Sequence, residues 1–158
     1  MSSKIEQLLK KAKQIIPNYI CLDGDRMKEV ENALDITLPL DFKEINKKFS
    51  YESFPWDFRG FYADKKAQEC VTNATLRLRK CCNFPKNALF LYEDDAGAII
   101  LEIIDADHSK ISWMSIEDLD NFCEGMPLAY NPTIFPSFTD FFEYLIKQEE
   151  GERKIITS

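Results

Sequence analysis

Ala88-Leu89-Phe90-Leu91-Tyr92, Glu93-Asp94-Asp95-Ala96-Gly97, Ala98-Ile99-Ile100-Leu101-Glu102-Ile103-Ile104, Asp105-Ala106-Asp107-His108-Ser109 and Lys110-Ile111-Ser112-Trp113-Met114 follow one another without interruption. Three short apolar runs rich in Ile and aromatic residues are split by two turn-type loops, the pattern of an antiparallel meander. Gly97 offers the positive φ of a tight return, and Asp94 and Asp95 can bond their own backbone. In the middle run Glu102 is the sole polar residue. Such a strand is covered on both faces, so it is expected at the centre of its sheet.

Around this stretch the chain reads as helices. Ser3-x-x-Glu6 is a capping-box pattern, and Ile5, Leu8, Leu9, Ala12, Ile15 and Ile16 recur at helical spacing until Pro17. After Asp23-Gly24-Asp25, Met27, Val30, Ala33 and Leu34 mark a second helix. Leu38-Pro39-Leu40-Asp41 begins a third, with Phe42, Ile45 and Phe49 as its buried stripe. The aromatic-rich segment 50–62 reads as an irregular connection ending in a short strand at 59–62. Asp64 is placed to cap a fourth helix with Ala67, Cys70, Val71, Ala74, Leu78 and Cys81 on its apolar face. Ser115-x-x-Asp118 caps a short helix closing near Gly125, and 126–136, with three prolines, reads as loop. Ser137 and Asp140 cap a final helix bearing Phe138, Phe141, Phe142, Leu145 and Ile146. The tail from Gly151 is expected to fray. The expectation is one α+β domain over residues 1–150, a twisted, largely antiparallel sheet packed with helices.

At 158 residues the chain is long enough for one real core. No apolar run approaches the ~20 residues of a membrane helix, and the N-terminus lacks the apolar core of a signal peptide. A cytoplasmic protein is expected. Five cysteines, an odd number with no Cys-x-x-Cys, argue against a disulfide framework or a zinc site; Cys70 and Cys81 are expected in the core. The charge is unevenly placed. Leu89–Glu149 holds 13 acidic and two basic residues, whereas residues 1–88 hold 12 acidic and 16 basic. The acidic half repels phosphate backbones and attracts basic partners, so no direct nucleic-acid binding is expected.

Catalytic and cofactor patterns are missing. The five glycines are isolated, which leaves no phosphate-cradling loop, and His108 is the sole histidine. Glu93, Asp94 and Asp95 with Glu102 are the one carboxylate set that glycoside-type acid–base chemistry could use, yet turns ordinarily hold such residues. Asp105-x-Asp107 resembles the start of a calcium loop but lacks the following Gly and the distal Glu. No catalytic residue, metal or cofactor is expected.

The order of the motifs carries further. Met27-x-x-Val30-Glu31-x-x-Leu34 followed by Leu38-Pro39-x-Asp41-Phe42-Lys43-Glu44-Ile45, then Asp94-Asp95-Ala96-Gly97, Ile111-Ser112-Trp113 and Ser137-Phe138-Thr139-Asp140-Phe141-Phe142, resembles the SUKH superfamily over roughly residues 25–146. That superfamily includes yeast regulators of cell-wall synthesis and many bacterial immunity proteins. The chain departs from it at Lys48-Phe49-Ser50-Tyr51, where Asn-Gly-Gly is common, and at Gly97-Ala98, where Gly-Asp or Gly-Gly is common. The resemblance implies a non-catalytic protein-binding domain, either an immunity protein occluding one cognate, nuclease-type toxin or a regulatory scaffold module. It would be a monomer or weak homodimer. An acidic surface mimicking nucleic acid would place Glu93, Asp94, Asp95, Asp105 and Asp107 at the partner contact, with Trp56 as an anchor.

Overall fold

The three apolar runs become β1 (Ala88–Glu93), β2 (Gly97–Ile103) and β3 (Ser109–Ser115) of an antiparallel sheet, to which β4 (Thr133–Phe135) adds beyond β3. This is a computed structural model, and it describes residues 3–15, 24–49, 71–93, 95 and 97–157. The helices are α1 (Lys4–Ile15), α2 (Gly24–Leu34), α3 (Leu40–Lys48), α4 (Val71–Cys81), α5 (Ile116–Cys123) and α6 (Phe138–Thr157). The chain is thus an α+β fold, as its sequence leads one to expect. The expected connection at 50–62, the strand at 59–62 and the Asp64 cap lie outside the described residues.

Strand β2 is interior, between β1 and β3. Its side chains alternate between two cores because a pleated strand sends successive residues to opposite faces. Ile99 and Leu101 join Leu89, Leu91, Ile111 and the apolar stripes of α1, α2, α3 and α6. Ala98 and Ile100 join Phe90, Met114 and the α5 residues Leu119 and Cys123. A bulge in β1 lies between the pairs Phe90–Ile100 and Tyr92–Ile99, so Leu91 and Tyr92 both reach the first core. Helix α4 packs against β1, and its buried Thr75 Oγ1 accepts the Phe90 N–H at 3.0 Å. That bond satisfies a backbone donor at the sheet edge.

The helix ends follow local chemistry. Ser3 Oγ accepts from Glu6 N at 3.1 Å, and Ser137 Oγ accepts from Asp140 N at 3.1 Å while donating to Asp140 Oδ2 at 2.7 Å. Asp35 ends α2 in the left-handed region at φ 53°, with Ile36 N bonded to Glu31 O at 3.1 Å. Gly125 ends α5 at φ 70°; its N–H bonds to Phe122 O and that of Met126 to Asn121 O, the paired bonds of a Schellman cap.

Asp41 connects distant parts. Its Oδ1 accepts from Phe42 N at 2.8 Å, and its Oδ2 accepts from Thr139 N at 2.9 Å and Thr139 Oγ1 at 2.8 Å. The N-termini of α3 and α6, 98 residues apart, therefore share one carboxylate, which suits two converging positive dipole ends. The Phe42 and Phe138 rings meet edge-on beside it at 4.6 Å. Lys4 and Lys11 of α1 pair with Asp140 and Glu150 of α6 at 3.3 and 2.8 Å.

Several expectations are corrected. The region 126–136 is not all loop: β4 lies in it, recruited by pairing of Ile111, Ser112 and Trp113 with Phe135, Ile134 and Thr133. Three residues between prolines carry too little local signal to be seen without that partner. Helix α6 runs through Gly151 to Thr157; an isolated glycine costs a helix about 1 kcal/mol and does not stop it as proline does. Cys81 is exposed, not core. The α4 stripe runs Val71, Ala74, Thr75, Leu78 and on to Cys82, one residue past the expected position. Ala33 is likewise exposed.

Gly97 also works differently from its expected role. Among the described glycines only Gly125 has a positive φ. A Cβ on Gly97 would lie 2.6 Å from Met114 O and 2.9 Å from Trp113 Nε1, so the position needs glycine for close approach of β3. Gly97→Ala is expected to destabilise the chain by about 1–3 kcal/mol through overpacking, measured by urea denaturation. Asp41→Ala should cost a similar amount, about 1–3 kcal/mol, by removing a helix cap and leaving donors at the head of α6 unmet.

Candidate functional site

The expected contact carboxylates fall into two groups. Glu93 and Asp95 belong to the β1–β2 return, whereas Asp105 and Asp107 belong to the β2–β3 return. The seven residues of β2 separate the two groups, a span of about 20 Å at ~3.4 Å per residue. Asp94 and Trp56 lie outside the described residues.

Within the β2–β3 return Asp105 serves its own turn. Its Oδ1 accepts from Asp107 N at 2.9 Å and His108 N at 2.8 Å, and His108 Nδ1 lies 2.7 Å away. The bond with His108, then that from the Asp107 backbone, holds the Asp105 carboxyl below its ordinary value. Asp107 is exposed, and Glu93 is half-buried opposite Ala98. Glu102, the other member of the weighed acid–base set, pairs across the strands with Lys110 at 3.7 Å. It lies opposite Ala88, at the far end of the β1–β2 ladder from Glu93. Two carboxylates so placed cannot flank one scissile bond, which needs them within about 10 Å.

Other reactive groups are structural too. Burial, reinforced by the neighbouring Cys82, pushes the Cys123 thiol up to about 12. It therefore stays a protonated thiol at neutral pH and is no nucleophile. Among the described residues, no cluster of three His, Cys, Asp or Glu side chains is placed to hold a metal ion. No helix among them is long and apolar enough to cross a membrane. An open groove of about 730 Å³ between α2 and α3 is lined by Met27, Leu40 and four lysines with Glu31 and Glu44. Its charged lining includes two internal pairs, Lys43–Glu31 at 3.4 Å and Lys48–Glu44 at 3.9 Å. Trp113 is half-buried and stacks edge-on against Tyr144 at 6.3 Å, a packing role.

The surface that the sequence reading missed is built on α5. Ser115 Oγ accepts from Asp118 N at 3.3 Å and starts the helix, as the capping pattern implies. Asp118 itself is fully buried. Its Oδ1 accepts from Ala129 N at 2.7 Å and Asn121 Nδ2 at 3.1 Å, and its Oδ2 accepts from Tyr130 N at 3.0 Å. Burial alone would raise its pKa; the bonds from Ala129, Asn121, Tyr130 and Ser115 outweigh it, leaving the carboxyl below its ordinary value. One carboxylate thus pins the segment after α5 back onto the helix. Leu128 then packs against the second core while Met126, Tyr130 and Ile134 stand out into solvent. On the outer side of α5, Glu117, Asp120 and Glu124 are exposed. The signal available beforehand was the buried partner of a cap, Asp118, 11 residues before the donor it meets.

Because the folded carboxyl is depressed, Asp118 contributes stability that is complete above its ordinary value of 3.8. That contribution is lost as pH falls through the lower folded value. Asp118→Asn should lower Tm at pH 7 by about 5 °C or more, because an amide turns a donor toward the N–H groups of Ala129 and Tyr130. The difference in Tm from the parent should shrink below pH 4, which thermal melts between pH 2 and 7 will read.

No protein-family model matches this chain, and no curated protein matches it either.

Proposed function

We propose that this chain is a non-catalytic protein-binding domain of the SUKH type, an immunity protein that neutralises a cognate, nuclease-type toxin by binding and occlusion. The observation that carries the reading is the segregation of charge. From Ile111 to Ile146 there are six acidic residues and no Lys, Arg or His; Asp118 is buried, Asp140 and Glu143 meet Lys4, and Glu117, Asp120 and Glu124 are exposed. A nuclease presents a cationic cleft to its phosphate substrate, and an acidic protein surface competes for that cleft and accelerates encounter.

The motifs behind the resemblance support the same reading. The Leu-Pro-x-Asp and Ser-Phe segments meet through Asp41–Thr139 and Phe42–Phe138, so two motifs far apart in the chain act together in one packing unit. These residues cap and pack. They bring no reactive group together, and the role they suit is holding a binding surface in shape.

The reading is tested by co-expressing the chain with a toxic domain encoded beside its gene. Growth should be restored, and the purified pair should form a complex whose affinity falls as salt rises from 50 to 500 mM. Unrelieved growth arrest together with no complex would reject the reading.

A further inference from the structure

Resting on the protein-binding reading, we infer that the partner docks on the outer face of α5, the segment 126–130 and β4. Met126, Tyr130 and Ile134 form the apolar centre of that surface, and the face the partner brings is basic. The three side chains are 56%, 60% and 53% exposed, and they fall within nine residues. Among the described residues, the other large exposed apolar side chains, Leu40, Leu76 and Ile104, lie singly on α3, α4 and the β2–β3 return.

Register places Ile134 with α5, and backbone bonds tie the other two to that helix. Ile134 lies opposite Ser112, which lies opposite Ile100, which lies opposite Phe90. Directly paired residues share a face, so Ile134 is on the face that α5 covers. Tyr130 is held there by its N–H bond to Asp118, and Met126 by its N–H bond to Asn121 O. The backbone under the apolar centre is therefore fixed before any partner arrives, which lowers the entropy lost on binding. Met and Tyr in a central position with a charged rim is the make-up of protein interfaces.

Charge selects the occupant. Glu117, Asp120 and Glu124 recur at helical spacing along the exposed side of α5, and the sequence holds no Lys, Arg or His between Lys110 and Lys147. A second copy docking through the same face would bring the same negative rim. Nor does sheet extension favour a second copy, because β4 is three residues long between Pro132 and Pro136, and proline offers no N–H to a new strand. A basic protein face meets both requirements.

The test uses the full chain in cells of its source, with the photo-crosslinking residue p-benzoylphenylalanine at Met126 or Tyr130, and at Asp95 or Glu44 as controls. The captured protein is then purified, and its Kd is measured against the parent, Ile134→Asp and the triple variant Glu117→Lys/Asp120→Lys/Glu124→Lys. Crosslinking at Met126 and Tyr130 to one protein with a basic face is expected. Each variant should keep the parental Tm and weaken Kd by about tenfold or more. Crosslinks confined to Asp95 or Glu44, a crosslink to a second copy, or unchanged Kd in both variants would overturn the surface and leave protein binding standing. No crosslinked protein at any of the four positions would reject the binding reading along with it.

Discussion

Strand β2 has no face to give to water. Ala98, Ile99, Ile100 and Leu101 are all fully buried, two on each side of the sheet. Burying an Ile or Leu side chain stabilises by about 1.5–3 kcal/mol, so both faces demand a cover. Four helices meet that demand on one side, while α5 meets it on the other with α4 along the β1 edge. Even Gly97 follows from this arrangement, because the closeness of the end of β3 to the start of β2 leaves no volume for a methyl group.

Polar groups then decide which segments lie where. Hydrophobic burial is non-directional and would tolerate many placements of the helices. Asp41 and Asp118 remove that freedom, each by collecting backbone N–H donors from a distant part of the chain. Asp41 joins the heads of α3 and α6. Asp118 folds the segment after α5 back and aims the chain toward β4. A buried carboxylate that lost these donors would be strongly unfavourable, so each placement is specific as well as stable.

The surface that results differs from one built on turn carboxylates. Asp105 is engaged by its own turn and by His108, which is common for an aspartate two or three residues before the amides it caps. The exposed acids of α5 make no such turn bond, and the segment that follows them leaves Met126, Tyr130 and Ile134 in water. The two returns flanking β2 lie at its opposite ends.

Local chemistry made the meander, the helix caps at Ser3, Ser115 and Ser137 and the central place of β2 readable in the residues themselves. Each depends on neighbours within a few positions or on a two- or 3.6-residue period. The candidate surface was not readable in that way. β4 exists because β3 offers it partners, and Tyr130 is fixed by a carboxylate 12 residues earlier. Composition recorded that the second half of the chain is acidic. Only the packed chain separated carboxylates consumed by turns and buried amides from those left facing solvent, because that difference lies in distances between residues far apart in sequence.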